Sequence, residues 1–136
     1  MNIIQHHKPI DFDALFKQMQ RAVVGLDSND IELFATDDDE IHSFYGSAEC
    51  GDRIGNAFGI ALCSDEAAEI VNKCDTFMLF FKYNPKSERP VSMVEMSAIN
   101  KFVTGLSDDC NIMWNLMSDS TIGDKVEIIL LCNLKG

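Results

Sequence analysis

Long apolar runs, paired cysteine motifs and an excess of basic residues are all missing from this 136-residue sequence. No stretch approaches the roughly 18 consecutive apolar residues of a membrane-spanning helix, and the start "MNIIQHHKPI" lacks the basic and apolar regions of a secretory signal. The cysteines number five, and no two have the CxxC spacing, which argues against a disulfide framework and a structural zinc site. We therefore expect a cytoplasmic protein with reduced thiols, no metal and no membrane partner.

Acidic residues dominate the charged fraction of the chain. There are 22 of them against 11 Lys and Arg, so the formal net charge is −11. A charge of this sign repels phosphate backbones, and we expect no nucleic-acid partner. Hydrophobic residues make up 46% of the chain, an ordinary globular fraction. A chain of this length buries roughly two-thirds of its unfolded surface, so we predict a single domain over residues 1–136.

The first part of the chain predicts a helix followed by a hairpin. Residues 9–26 have apolar side chains at helical spacing, with Asp11 placed to cap the start and Gly25 placed to end it. Residues 30–46 contain two alternating segments around the acidic tip "DDDE" and predict a hairpin. Weak calcium binding is the alternative role of this tip, although it lacks the ligand spacing of an EF-hand.

The rest of the chain, residues 51–133, alternates helical and strand patterns. Helices are predicted over 51–62, over 64–74 and after Ser92, where Ser92 and Glu95 have the S-x-x-E spacing of a capping box. The apolar residues of this last helix recur at helical spacing and predict its buried face: Met96, Ile99, Phe102, Val103 and Leu106. The segment 76–83 predicts a buried strand, and 111–133 predicts a closing hairpin. In its turn, "SDSTIGDK", Gly123 supplies an unusual backbone angle while Asp119 and Asp124 bond the local chain.

This order of elements is typical of an α+β fold. We predict a two-layer α/β sandwich, in which a mixed sheet of four to five strands carries two to three helices on one face.

One loop has the spacing of a phosphate-binding motif. "GSAECGDR", residues 46–53, contains G-x-x-x-x-G, but Asp52 and Arg53 stand where a P-loop has Lys and Ser or Thr. We therefore expect no nucleotide cofactor. A ligand site or reactive thiol formed by His42, Cys50 and Arg53 is one interpretation, because a helix start lowers a thiol pKa. The alternative is a half-buried cysteine beside a surface histidine.

Several segments in the right order resemble the C-terminal domain of FtsZ, the bacterial tubulin homologue. They are "GSAECGDRIGNAFGIAL", "KCDTFMLFFKYN", "VSMVEMSAINKFV" and "DDCNIMWNLMSDSTIGDKVEIILLC". Gly46, Glu49, Gly51 and Arg53 match the family's turn and helix start, and the resemblance covers roughly residues 42–133. It implies a domain of the kind that tubulin-like filaments use for contacts between subunits.

Two departures from the family bear on activity. The family's N-x-D-x-x-D loop is matched in "PIDFDALFKQM" only by Asp11, since Pro9 and Ala14 occupy the other positions and Asp13 is one place out of register. The glycine-rich "GGGTG" signature of the GTPase domain is missing. We therefore expect no catalytic residues and no GTP hydrolysis by this chain alone.

The resulting functional prediction is a non-enzymatic interaction module that self-associates or docks on a filament or cytoskeletal protein. Gly55 and Gly59 leave a strip without side chains on one helix, which favours close packing of another backbone. We predict that this strip, with Asp11 and Asp13, contributes to an interface. The alternative is a small-molecule-binding or minor catalytic protein with a site between subunits near Cys50 and Arg53.

Overall fold

The computed structural model of the chain describes residues 2–5, 39–106 and 110–134. Five strands and three helices lie in these ranges. In chain order they are β1 (Asn2–Gln5), β2 (Glu40–Ala48), α1 (Arg53–Ala61), α2 (Asp65–Lys73), β3 (Thr76–Tyr83), α3 (Met93–Thr104), β4 (Asn111–Ser118) and β5 (Val126–Leu134).

The strands form one open mixed sheet in the order β1-β2-β5-β3-β4. β1 is parallel to β2, β3 is parallel to β4, and β5 runs antiparallel to both of its neighbours. The predicted α+β class, with a mixed sheet and helices, is confirmed.

The predicted closing hairpin over 111–133 is wrong. β4 and β5 are not paired with each other, because β3 lies between them and Leu79 has Trp114 on one side and Leu130 on the other. The connection 119–125 therefore crosses the end of β3, a span of about 10 Å, or two strand spacings. The backbone N–H of Asp119 donates to the Tyr83 carbonyl at 2.8 Å, which holds this connection against the strand it crosses.

The turn residues within this connection behave partly as predicted. Gly123 has a φ of 65°, and the Asp119 carboxylate accepts from the Thr121 N–H at 2.9 Å. Asp124 differs, because its carboxylate accepts from the Ser87 hydroxyl of another loop.

The helices are confirmed close to their predicted bounds. Each begins at a side-chain cap: Asp52 for α1, Ser64 for α2 and Ser92 for α3. The capping box is complete, since the Ser92 hydroxyl accepts from the Glu95 N–H at 3.1 Å and the Glu95 carboxylate accepts from the Ser92 N–H at 3.3 Å. Local sequence signals were sufficient for these three elements.

The N-terminal part of the chain was predicted less well. β1 was not predicted, although its residues pair in register with 40–43 of β2. The second strand of the predicted 30–46 hairpin lies within β2. The predicted 9–26 helix, the first strand of that hairpin, Asp11 and Asp13 all lie outside the described residues.

The hydrophobic core lies between the three helices and one face of the sheet. Phe102 of α3 stacks on Phe58 of α1 with ring centroids 5.0 Å apart and meets Phe77 of β3 edge-on at 6.3 Å. The predicted apolar face of α3 is confirmed, because these residues are buried in this core or packed against it: Met96, Ile99, Phe102, Val103 and Leu106.

The two central strands are buried on both faces of the sheet. Met78 and Phe80 of β3 and Leu131 of β5 point away from the helix-covered core, yet none has measurable exposure. This double burial explains why β3 has the continuous apolar pattern "TFMLFF" instead of strict alternation.

Candidate functional site

The first turn of α1 lies where three loops meet at one end of the sheet. Gly46 of β2 allows α1 to pack directly on the strand, since a Cβ at this position would lie 1.9 Å from the Ala57 carbonyl oxygen. Gly51, with φ 69°, then turns the chain, and Asp52 caps the helix by accepting from the Gly55 N–H. This geometry directs the Arg53 side chain inward.

Arg53 is a buried cross-link with four side-chain hydrogen bonds. It is 1% exposed, and its Nε and Nη2 atoms donate to the two carboxylate oxygens of Glu95, each at 2.7 Å. Nη1 donates to the Asp124 carbonyl at 2.7 Å, and Nη2 also donates to the Pro90 carbonyl at 3.3 Å. The Arg53 side chain therefore joins α1 to α3, to the loop 84–92 through Pro90, and to the connection 119–125 through Asp124.

The ionised form of Glu95 is strongly favoured in this position. Hydrogen bonds from Arg53 outweigh the effect of burial and lower the pKa of Glu95 to about 2, from an ordinary value of 4.5. The Ser92 N–H adds to this effect, because the same carboxylate completes the capping box of α3. A bidentate pair with satisfied oxygens is the arrangement in which a buried carboxylate is stable.

A second basic residue holds the same loops from outside. Arg89 donates to the Gly51 carbonyl and, at 3.4 Å, to the Glu49 carbonyl. The Ser87 hydroxyl donates to Asp124, and Asn84 donates to the Gly123 carbonyl at 3.0 Å. The loops 49–52, 84–92 and 119–125 are thus tied to one another.

The three residues of the hypothesised ligand site are not brought together. His42 is buried in β2, six residues before the end of that strand at Ala48, a distance of about 20 Å. Cys50 is exposed in the loop, and the guanidinium of Arg53 is engaged by Glu95 and two carbonyls. The geometry therefore adds no support to a small-molecule site near Cys50 and Arg53.

The predicted glycine strip lies along a surface groove of about 580 Å³ between α1 and the end of β2. Gly59 has open space where a side chain would point, and Gly55 meets only the carboxylate of Asp52, so no backbone of the described residues packs on the strip. The close helix–strand approach is made by Gly46 instead, a residue that the periodicity argument missed. Around the two glycines, the groove is lined by Ser47, Ala48, Asn56, Ile60 and Cys63.

Comparison with known proteins identifies the fold. No family model and no curated protein matches the sequence. Among solved structures, the chain is similar to an empty FtsZ dimer from M. jannaschii, with a TM-score of 0.65 at 12% identity over 82% of this chain and 32% of that one. A Trp-to-Tyr mutant of the same FtsZ gives a TM-score of 0.64 at 13% identity with the same coverage.

A third solved structure is similar to this chain with a lower TM-score. TubZ from Bacillus thuringiensis serovar israelensis, solved as GDP-form protofilaments, gives a TM-score of 0.50 at 12% identity over 80% of this chain and 29% of that one. The chain therefore has a tubulin/FtsZ-like fold and spans about a third of the length of these neighbours. Within the described ranges, no helix combines the length and apolarity needed to cross a membrane.

Proposed function

We propose that this chain is a non-enzymatic protein-interaction module that corresponds to the C-terminal domain of FtsZ and associates with further copies of itself. The similarity of fold to FtsZ is the main support for this proposal, because the matched region covers 82% of this chain and only 32% of the FtsZ chain. Two of the neighbours were solved as assemblies, one as a dimer and one as protofilaments. The proposal also allows a different partner, a filament-type protein, in place of a second copy of this chain.

The groove along Gly55 and Gly59 is the proposed contact surface. Its lining contains no charged side chain, whereas the whole chain carries a net charge of −11. Apart from the Asp52 carboxylate, which lies against Gly55, the residues that line the groove place no carboxylate in such a contact, and like charges facing each other would oppose association. Ile60, which is 49% exposed at the groove, supplies apolar area, and Gly59 leaves room for a partner's backbone.

Sedimentation velocity over a wide concentration range tests this proposal. We expect the wild type to associate as its concentration rises, and we expect Ile60→Asp to remain monomeric because it places a charge in an apolar contact. Val94→Asp is the matched control, because Val94 is also exposed, at 78%, but lies on α3 away from the groove. This control should associate like the wild type.

Two results would contradict the proposal. One is a wild type that stays monomeric at the highest concentration and also fails to bind a purified FtsZ-type subunit from the same host. The other is association that Ile60→Asp and Val94→Asp weaken equally, since the groove would then have no special role.

A further inference from the structure

Strand β4 forms one edge of the sheet. The order β1-β2-β5-β3-β4 leaves β3 as its only neighbour among the described strands. The opposite edge strand, β1, has four residues, whereas β4 has eight. A very short strand is one of the ways in which proteins protect an edge from further pairing. Of the two edges, β4 is therefore the one that is open to another strand.

The bonds between β4 and β3 show which backbone groups of β4 face outward. At the two ends of the strand, the N–H of Asn111 donates to the Asp75 carbonyl and the N–H of Asp119 donates to the Tyr83 carbonyl, each at 2.8 Å. Successive residues of a strand direct their backbone groups to opposite sides, so the odd-numbered residues bond to β3 and the even-numbered residues point away from it. The outward residues are Ile112, Trp114, Leu116 and Ser118.

The sequence of β4, "NIMWNLMS", contains none of the residues that usually prevent strand pairing. It has no lysine, no proline and no charged residue, although the whole chain carries a net charge of −11. Like charges directly opposite each other would oppose the pairing of two identical strands, and this strand supplies none. The composition of β4 therefore permits pairing with a second copy of itself.

Asn115, in the middle of β4, has a buried side chain without a hydrogen bond. The side chains of Ile112 and Leu116 pack on the core beneath the helices, so Asn115 points to the other face of the sheet. It has no measurable exposure, and neither its amide oxygen nor its amide nitrogen has a partner among the described residues. An unpaired buried amide is destabilising, so a partner supplied by a second molecule would be favourable.

We propose that β4 pairs antiparallel with β4 of a second copy, about a two-fold axis that passes through Asn115. In this register every outward residue has a partner: Trp114 exchanges backbone bonds with Leu116 of the second copy, and Ile112 does so with Ser118. The two Asn115 residues then face each other as a non-hydrogen-bonded pair, with Cα atoms about 4.5 Å apart. Each amide can donate to the oxygen of the other, which satisfies both.

This inference rests on the proposed self-association and adds a second contact to it. The groove lies beside β2, and β5 and β3 separate β2 from β4 in the sheet. One copy can therefore use both surfaces at once, which extends a pair of copies into a longer row. Alone, the edge contact is weak, because backbone bonds to a second copy replace bonds to water. It forms most readily between copies that the groove already holds at a high effective concentration.

Disulfide trapping of Asn115→Cys tests the register directly. The background is Cys50→Ser/Cys63→Ser/Cys110→Ser, which removes the cysteines that are not buried. A Cα separation of about 4.5 Å lies within the range of disulfides. After mild oxidation with diamide, we expect a covalent dimer that dithiothreitol returns to monomer. Peptide mass spectrometry should show position 115 linked to itself.

Met113→Cys is the matched control in the same background. Met113 lies on the same face of the same strand, but in this register it faces Met117 of the second copy. Its own two copies would be about 14 Å apart, too far for a disulfide, so the covalent dimer should be lost. Ser118→Pro, added to Asn115→Cys, removes one outward N–H at an exposed position and should also abolish the link. Circular dichroism checks that each variant folds.

Amide hydrogen exchange tests the same contact in the unaltered chain, and it decides the question if Asn115→Cys does not fold. The outward N–H groups of Ile112, Leu116 and Ser118 should exchange several-fold more slowly at high protein concentration than at low concentration, because bonds to a second copy protect them.

Three results would overturn the inference: no covalent dimer from folded Asn115→Cys, an equal yield from Met113→Cys, or outward N–H groups whose exchange does not depend on concentration. Failure of the groove proposal gives a different pattern. The link at position 115 would then form equally with and without Ile60→Asp, in a protein whose association Ile60→Asp does not change.

Discussion

Replacing Arg53 by Met tests whether the buried ion pair holds this end of the fold together. The substitution keeps an unbranched apolar stem but removes all four hydrogen bonds of the guanidinium. It leaves the Glu95 carboxylate, 5% exposed, without its counter-ion. Breaking a buried pair from one side is costly, because the remaining charge stays desolvated.

The size of the loss follows from the pKa of Glu95. A fall from 4.5 to about 2 corresponds to about 3 kcal/mol, at about 1.4 kcal/mol for each tenfold change. This agrees with the roughly 3–5 kcal/mol lost when one partner of a buried pair is removed. The free energy of unfolding of a domain is only about 5–15 kcal/mol, so Arg53→Met should remove a large part of it.

Urea unfolding at neutral pH measures this loss. With a dependence on denaturant of about 2 kcal/mol per molar urea, the midpoint should fall by roughly 1.5–2.5 M. Lys73→Met is the matched control, because Lys73 also pairs with a glutamate, Glu69 at 2.9 Å, but both side chains are more than half exposed. The control should have no measurable effect on the midpoint.

The same pair predicts how stability depends on pH. Glu95 has a lower pKa in the folded chain than in the unfolded chain, so its contribution is complete above about pH 5 and is lost as the pH falls towards 2. Between about pH 5 and pH 2, the free energy of unfolding of the wild type should fall by about 3 kcal/mol more than that of Glu95→Gln. The glutamine side chain has the shape of glutamate but cannot ionise. Equal pH profiles for the two proteins, or an Arg53→Met midpoint within error of the wild type, would refute the reasoning.

Two further substitutions test the packing of α1 and the start of α3. Gly46→Ala should lower the free energy of unfolding by about 3 kcal/mol, the upper end of the usual cost of overpacking, because its Cβ would overlap the backbone of Ala57. Gly59→Ala, where space is open, should instead raise it by up to about 1 kcal/mol, and equal effects of the two would contradict the account of α1. Ser92→Ala should cost about 1 kcal/mol through the lost cap. Ser97→Ala, on the exposed side of the same helix, should change the urea midpoint much less, so similar shifts for both serines would argue against the cap.

The local elements were predictable because their signals lie within a few residues of one another. The S-x-x-E spacing at Ser92 and Glu95 identified the start of α3, and its apolar spacing identified the face that packs on the core. The resemblance to FtsZ, based on short segments in order, anticipated a fold that the sequence comparisons alone did not detect. β1 was missed because a strand of four residues has too short a pattern to distinguish from a loop.

The candidate site was predicted only in part. Gly55 and Gly59 do line a surface groove, but neither is the glycine on which another backbone packs. Arg53 was singled out as a ligand-site residue, yet its partner Glu95 lies 42 positions away and was known from the sequence only as a helix cap. No local pattern reports a contact of this kind.

By itself, the sequence determined the helices, their caps and the apolar character of the central strands, since hydrogen bonding and periodicity over one or two turns decide these features. Only the tertiary structure decided that β3 lies between β4 and β5, and that Arg53 is shared between Glu95 and two loops. The reason is that a short connection limits only the distance between two strands. Which strand fills the space between them depends on burying apolar side chains from the whole chain at once.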